Sequence, residues 1–494
     1  MNRALKRVSI AVLVMFVALL INVNYLQAFE APSLASGLGN VRTLDEQAQV
    51  QRGPIVTSDG KTVAESKSAS DGGYQREYPG GAAFAPVTGF DGVNGSGGME
   101  QAEDSLLSGT GSQLAFRNFI DLITNKPEEG ATVELTINSK AQEAAYKGLE
   151  GILQGTNRVG GVVALNPSTG AILAMASYPS YNPNQLATAD GTQFNNLDEQ
   201  LIKESPSPLT NNATQTTLPP GSTFKLITSS AYFTQNTTST TSTPVYSPAV
   251  LTLPQSNQLL HNDADESCGS AGASGSVPII DAFALSCDTT FANIGMELGG
   301  TTLNNMAEKY GFNSAPSITG VTTVPSNYTV SASQALTAYT AIGQYDDTAT
   351  SLQEAMDAAA IANNGVLMKP YLVQQVTASD LSVVHATQPA ELSQSVSPSV
   401  ANDVKQMMIA VVQQPDGTGY AFNQNVEGVE IAGKTGTAQT MVGSNVDDAA
   451  FVAFAPASDP KIAVGVMVQG AGYGATAAAP IAVNVIKAYL ASVG

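Results

Sequence analysis

Histidine is nearly missing from this chain: His261 and His385 are the only two among 494 residues. Neither stands at metal-ligand spacing from another donor, so no metal centre is expected. A Ser-His-Asp hydrolase is equally short of parts, because both histidines lie in loop-like sequence and neither candidate serine sits in a G-x-S-x-G setting. Both histidines read as surface residues. Basic side chains are scarce too, 21 Lys and Arg against 41 Asp and Glu, for a net charge of −20. Phosphate backbones need a positive surface, which sets nucleic acid aside as a partner. There are two cysteines, Cys268 and Cys287. Their spacing permits a disulfide outside the cytoplasm and does not by itself establish one.

The length allows two or more domains. At the N-terminus Arg3, Lys6 and Arg7 precede an apolar run from Val8 to Ile21, continued by Val23, Tyr25, Leu26 and Phe29, with no acid before Glu30. At about 1.5 Å per helical residue, 8–29 covers about 33 Å, enough to cross a bilayer. The basic flank predicts a cytoplasmic tail at 1–7. A cleaved signal peptide is the rival reading, with Ser33-Leu34-Ala35 as its small-residue site. That site stands far from the apolar run, so an uncleaved anchor is expected, with everything after it outside the cytoplasm.

From Gln51 to Ser66 an Ile/Val patch, a Ser-Asp-Gly turn and a second short run predict a hairpin. Glycine-dense sequence follows, then a short amphipathic helix near Glu100–Leu107. Together 30–130 resemble a pedestal of small elements. Beyond Gly130 comes a strand (Thr132–Ile137), an N-cap at Asn138 or Ser139, and a helix with Ala144, Leu149 and Leu153 on one side. Two β-branched runs around Asn166–Gly170 predict a second hairpin. Residues 131–494 read as a long α+β domain. Two low-complexity stretches, 233–248 and 386–400, are expected to be surface loops, and no internal repeat is visible.

Three segments carry chemistry. In "LPPGSTFK" (Leu218–Lys225), a helix opening at Pro219-Pro220-Gly221 would put the Ser222 hydroxyl and the Lys225 amine on one face. Taken alone, S-x-x-K is common. Ser286-Cys287-Asp288 interrupts an apolar helical pattern and, alone, is an ordinary polar break. Gly428 to Thr435 matches the nucleotide loop G-x-x-x-x-G-K-T, but its interval Val-Glu-Ile-Ala alternates like a strand and Gly436 onward is poor helix material. The nucleotide reading therefore fails.

In order along the chain, S-x-x-K, a variant of S-x-N, and K-T-G (Lys434-Thr435-Gly436) form the signature set of penicillin-recognising serine acyltransferases. With the anchor, the R-G-x-I element (Arg52–Ile55), "YPGGAAFAPVTGF" (Tyr78–Phe90), "LTINSKAQ" (Leu135–Gln142) and "VVALNPSTGAILAMAS" (Val162–Ser177), the chain resembles the class B penicillin-binding proteins, and among them the actinobacterial penicillin-binding protein A type. The resemblance implies a transpeptidase domain of serine β-lactamase-like fold, an antiparallel sheet flanked by helices, on a small pedestal, dimerisation-like domain with one membrane helix.

It also implies roles. Ser222 would be the nucleophile on a D-Ala-D-Ala stem peptide and on β-lactams, Lys225 the base, and Ser286 a proton relay between the lysines. Lys434, Thr435 and Thr437 would face the substrate carboxylate, Gly436 would keep the strand edge open, and the backbone N–H groups of Ser222 and Thr437 would form the oxyanion hole. No cofactor is called for. Asp288 departs from the family's usual Asn: an ionised Asp only accepts hydrogen bonds, and beside Lys225 it favours the ammonium. It is expected to alter substrate grip without abolishing acylation. A β-lactamase of class A type is disfavoured because no Glu-x-x-Leu-Asn segment lies between Asp288 and Lys434. A carboxypeptidase fits the N-terminal elements less well, and a non-catalytic wall-synthesis scaffold is the alternative outside enzymes. No glycosyltransferase segment is visible, so a separate polymerase partner is expected.

Overall fold

The computed structural model describes residues 2–25, 50–69, 72–111, 129–262, 268, 275–425, 428–439 and 446–494. The apolar N-terminal run forms α1 (Asn2–Tyr25). Its segment Lys6–Tyr25 has a mean hydropathy of 2.3 and buries nothing against the rest of the chain, so it is long and apolar enough to span a membrane. The expected end of the span at 26–29, the Ser33-Leu34-Ala35 site and much of the pedestal (30–49 and 112–128) lie outside the described residues.

The hairpin predicted at 51–66 is present as β1 (Ile55–Val56) and β2 (Thr62–Ser68), and β3 (Tyr74–Glu77) adds to its free side. Three segments distant in sequence are tied together at one carboxylate. Arg76 Nε donates to Glu100 Oε1 at 2.6 Å, Arg52 Nη2 to Glu100 Oε2 at 2.9 Å, and Tyr78 Oη to Glu100 Oε1 at 3.2 Å. Glu100 is fully buried, a position a carboxylate holds only when its charge is matched. The helix expected over 100–107 is two turns, Gly98–Ala102 and Asp104–Leu107. It goes no further because the Leu106 and Leu107 carbonyls accept from the amides of Ala131 and Gly53.

β4 (Thr132–Leu135) runs parallel to β1, with Ile55 opposite Val133, and on its other side pairs with the strand 373–377. One six-stranded sheet therefore crosses the boundary expected near residue 130 and joins the pedestal to the C-terminal half. α2 (Ser139–Leu153) is capped by Asn138, whose side chain accepts from the amides of Lys140 and Ala141. Its buried stripe is Ala141, Ala145, Leu149 and Leu153, so Ala145 takes the place expected for Ala144.

The C-terminal half is built on a five-stranded antiparallel sheet. β5 (Gly160–Leu165) and β6 (Ile172–Tyr178) are the predicted hairpin; β7 (Ala432–Gln439), β8 (Asp447–Ala455) and β9 (Ile462–Val468) complete it, in the order β7-β8-β9-β5-β6. Adjacent glycines report what covers each face: a side chain on Gly160 would meet Leu149 and Leu153 of α2, whereas one on Gly161 would meet Ala213 and Ser351. The buried Ala-rich helix 351–362 thus lies on the face opposite α2. The C-terminal helix 474–493 passes the length and hydropathy test for a span, but 44% of it is buried, against the sheet and α2. It is a core helix. The two low-complexity stretches are not wholly loops: they contain the short strands Pro244–Tyr246 and Glu391–Gln394.

Candidate active site

The segment around Ser222 does not open as an α-helix at Pro219. Gly221 (φ 57°) enters a 3-10 turn, Gly221–Phe224, and the α-helix α3 (Lys225–Gln235) starts only at Lys225. The turn is pinned on two sides. The Gly221 amide donates to the Gly343 carbonyl at 2.9 Å, and the Thr223 hydroxyl lies 2.8 Å from the Pro220 carbonyl. Beneath it runs β7, so close that a Cβ on Gly221 would stand 2.5 Å from the Thr437 carbonyl oxygen and one on Gly436 2.7 Å from that of Pro220. Only glycine permits that approach. The turn bearing Ser222 is thereby set against β7 at Thr437, an edge strand hydrogen-bonded on one side only. Ser222 is half-buried, and among the described residues its hydroxyl makes no hydrogen bond.

Ser286-Cys287-Asp288 is the joint between the helix Ile279–Ala284 and α4 (Asp288–Leu298). Ser286 adopts φ 62°, a left-handed conformation costing a non-glycine residue on the order of 1 kcal/mol. The neighbouring Cys287 is bonded to Cys268 by a disulfide, so the middle residue of the motif is anchored covalently. Asn262 holds the first turn of α4 by accepting from the Thr289 amide at 3.0 Å.

Three motifs scattered over the chain meet at one hydroxyl. Lys225 Nζ donates to Ser286 O (2.6 Å), Ser286 Oγ (3.2 Å) and Asp288 Oδ1 (2.6 Å), while Lys434 Nζ donates to Ser286 Oγ (2.8 Å) and Thr435 O (2.9 Å). Both lysines are fully buried. Their amines lie over aromatic rings, Lys225 5.7 Å from the Phe291 centroid and Lys434 5.6 Å from that of Phe283, which offsets part of the cost of charge. Burial, and next the Lys225 ammonium, push the Lys434 amine well below the usual lysine range, with Asp288 opposing. The Asp288 side chain is 23% exposed and ion-pairs Lys225, as its acceptor-only chemistry requires.

Of the remaining expected residues, Thr435 Oγ1 lies 2.7 Å from the hydroxyl of Thr418, and Thr437 Oγ1 accepts from the Gly474 amide at 3.3 Å. Sequence reasoning missed Thr418. It follows the helix 398–413 in "QPDGTGYA", which reads only as a turn. It also missed Glu354, fully buried, with Oε1 3.0 Å from the Thr223 hydroxyl; two acids in an alanine-rich run (Glu354 and Asp357) carry no motif. His261 and His385 are exposed.

A serine on a tight turn, an edge strand along its side, and a second serine bridging two buried lysines define the class of active-site-serine acyltransferases with S-x-x-K and K-T-G motifs. Residues 160–487 match the penicillin binding protein transpeptidase domain and residues 52–133 the penicillin binding protein A dimerisation domain. This chain belongs to the penicillin-binding protein transpeptidase family. It is 38% identical to the peptidoglycan D,D-transpeptidase PbpA of Mycolicibacterium smegmatis and 36% identical to that of Mycobacterium tuberculosis, each alignment covering 99% of both chains. Among solved structures, the ceftriaxone acyl-enzyme of penicillin-binding protein A from M. tuberculosis superposes with a TM-score of 0.83 at 35% identity, covering 90% of this chain and all of that one. The imipenem acyl-enzyme of the same protein gives 0.82 at 36%.

Proposed function

We propose that this chain is a serine-type peptidoglycan D,D-transpeptidase that crosslinks stem peptides during cell-wall synthesis and is acylated by β-lactams. The observation that carries this reading is Ser286 Oγ set between Lys225 and Lys434. Ser222 Oγ attacks the penultimate D-Ala carbonyl; the new Oγ–C bond forms as the C–N bond to the terminal D-Ala breaks. The serine proton passes to Lys225 and through Ser286 to the departing amine. An amine from a neighbouring stem peptide then attacks the acyl-enzyme and releases Ser222.

Asp288 holds Lys225 charged, whereas Lys434 is the amine that burial drives toward neutrality. A substrate carboxylate arriving at Lys434, Thr435 and Thr437 favours a proton on Lys434. Ser286 is the hydrogen-bonded route by which Lys225 can supply it and become the base. Substrate binding thereby arms the nucleophile. The developing oxyanion is received by the amides of Ser222 and Thr437, and the open edge at Gly436 lets the peptide lie along β7.

In the same reading 1–7 are cytoplasmic, 8–29 cross the membrane, and both the pedestal (30–130) and the catalytic domain (131–494) stand outside. A separate glycosyltransferase supplies the glycan strands. Mass spectrometry of the adduct with a fluorescent penicillin tests the chemistry: the label is expected on the peptide containing Ser222 and is expected to be lost in Lys225→Ala. A label elsewhere in the chain overturns the assignment.

A further inference from the structure

The Thr223 hydroxyl, one residue past the nucleophile, has a single hydrogen and two acceptors within reach: the Pro220 carbonyl at 2.8 Å and Glu354 Oε1 at 3.0 Å. It cannot donate to both. If the hydrogen goes to Pro220, the contact with Glu354 is a hydrogen bond only when the carboxyl brings a proton of its own.

The surroundings of Glu354 favour that state. It lies on α5 (Ser351–Ala362), all of whose residues are buried. Its Oε2 has no hydrogen-bond partner, which is tolerable for the carbonyl of a neutral acid and costly for half of a carboxylate. No ion pair reaches it among the described residues. One turn along, Asp357 is buried too, held by Gln353 Nε2 at 2.8 Å. Two adjacent carboxylates without a counter-charge cannot both ionise there. The other elements packed on α5 supply no compensation: β5, β9 and the strand 366–368 carry no ionisable residue, and neither the acids of β8 (Asp447, Asp448) nor Asp403 and Lys405 of the helix 398–413 bond to Glu354. The buried Tyr310, near Asp357, is hydrogen-bonded to Ser230.

We propose that Glu354 is a positioning residue for the nucleophile: as a neutral acid it donates to Thr223, which fixes Thr223 on the Pro220 carbonyl and so holds the turn that presents Ser222. The proposal rests on the reading of Ser222 as the nucleophile. Burial pushes the Glu354 carboxyl up to about 8. Above that pH the carboxylate recruits the Thr223 hydrogen, the Pro220 carbonyl loses its donor, and the turn loosens.

The test is the second-order rate of acylation of the full chain in detergent by a fluorescent penicillin, from pH 6 to 10. For the parent, the rate is expected to fall above about pH 8. In Glu354→Gln, which keeps a neutral N–H donor, the fall moves to higher pH. Glu354→Ala and Thr223→Val are expected to slow acylation at pH 7 about five- to ten-fold, the size of one lost hydrogen bond, with Gln rescuing what Ala loses. A fall caused instead by loss of the Lys434 proton, which grips the substrate carboxylate, would persist unchanged in Glu354→Gln, so that variant separates the two. Coincident parent and Glu354→Gln profiles, or equal rates for the Ala and Gln variants at pH 7, overturn the proposal. If Glu354→Ala does not fold, Thr223→Val decides: a parental rate overturns it. Absence of label at Ser222 in the parent overturns instead the functional reading beneath it.

Discussion

Lys225 and Asp288, residues of two different motifs, form a 2.6 Å ion pair in which the lysine side chain is fully buried and the aspartate 23% exposed. Asp288, the last residue of the Ser286-Cys287-Asp288 segment, is therefore in contact with the amine proposed as the base. It bears on the proton inventory of the site before it bears on the substrate.

Asp288→Asn removes the charge that favours the Lys225 ammonium. Acylation at neutral pH is expected to rise a few-fold, and its acid limb to move to lower pH, since less work is needed to free the amine. The shift is held to that size by the partial exposure of the pair. Stopped-flow acylation of parent and variant across pH 5–9 checks this; superimposable profiles together with unchanged peptide turnover would falsify a role for Asp288 in setting the base.

Ser286→Ala takes away the one oxygen bonded to both lysines. Proton transfer between them loses its path, and acylation is expected to drop about 10²–10³-fold, within the range of a positioned acid–base group. The residual adduct should still map to Ser222 by mass spectrometry. A drop under ten-fold argues that Ser286 is only structural.

The Cys268–Cys287 bond closes a loop of sequence separation 19 and anchors the residue between Ser286 and Asp288. Cys268→Ser is expected to lower stability by about 3 kcal/mol on the loop-entropy account. Freed from the tether, Ser286 can relax from φ 62°, and acylation slows by several-fold. Denaturant titration and penicillin labelling, with and without reductant, read the two effects separately, and the variant should be insensitive to reductant.

Thr418→Val deletes the hydroxyl 2.7 Å from that of Thr435. With nothing left to orient it, the Thr435 hydroxyl binds the substrate carboxylate less well, so KM for a stem-peptide mimic is expected to rise about three- to ten-fold with kcat little changed, the loss of about 1 kcal/mol. A fall confined to kcat would count against this assignment.

Glu354 also makes stability pH-dependent. Its carboxyl is raised from 4.5 in a free chain to about 8 in the fold, so the folded state holds a proton that the unfolded state releases between those values. The contribution is full below about pH 4.5 and is lost as pH rises through about 8. Glu354→Gln is expected to flatten that decline and to raise the thermal midpoint at pH 8.5 by at least about 3 °C, while the gain shrinks toward pH 5. Calorimetry at the two pH values decides, and a gain equal at both contradicts the assignment.

Much of the framework was legible along the chain because it is written in local terms. Periodicity and turn chemistry identify the hairpins 55–68 and 160–178, the Asn138 cap and the N-terminal apolar helix. Of the residues that the motif order singles out, Lys225, Ser286 and Lys434 meet in one hydrogen-bonded group. The segment around Ser222 reads locally as the start of an α-helix, and nothing local reveals that it lies against β7 at Gly221 and forms a 3-10 turn. In sequence β4 reads as the first strand of a new domain; in the fold its neighbour on one side is β1, a contact that spacing along the chain does not reveal.

By itself the sequence determined which groups exist for chemistry, in what order, and that the chain carries a helix able to span a membrane, because residue identity and periodicity are properties of the chain alone. Tertiary structure decided which of those groups are hydrogen-bonded to one another. Lys225, Ser286 and Lys434 come from three elements brought together by the packing of α3, α4 and β7, and Thr418 and Glu354 join the site only through contacts across 17 and 131 residues of chain. Hydrogen bonding and desolvation depend on distance in space, which spacing along the chain does not encode.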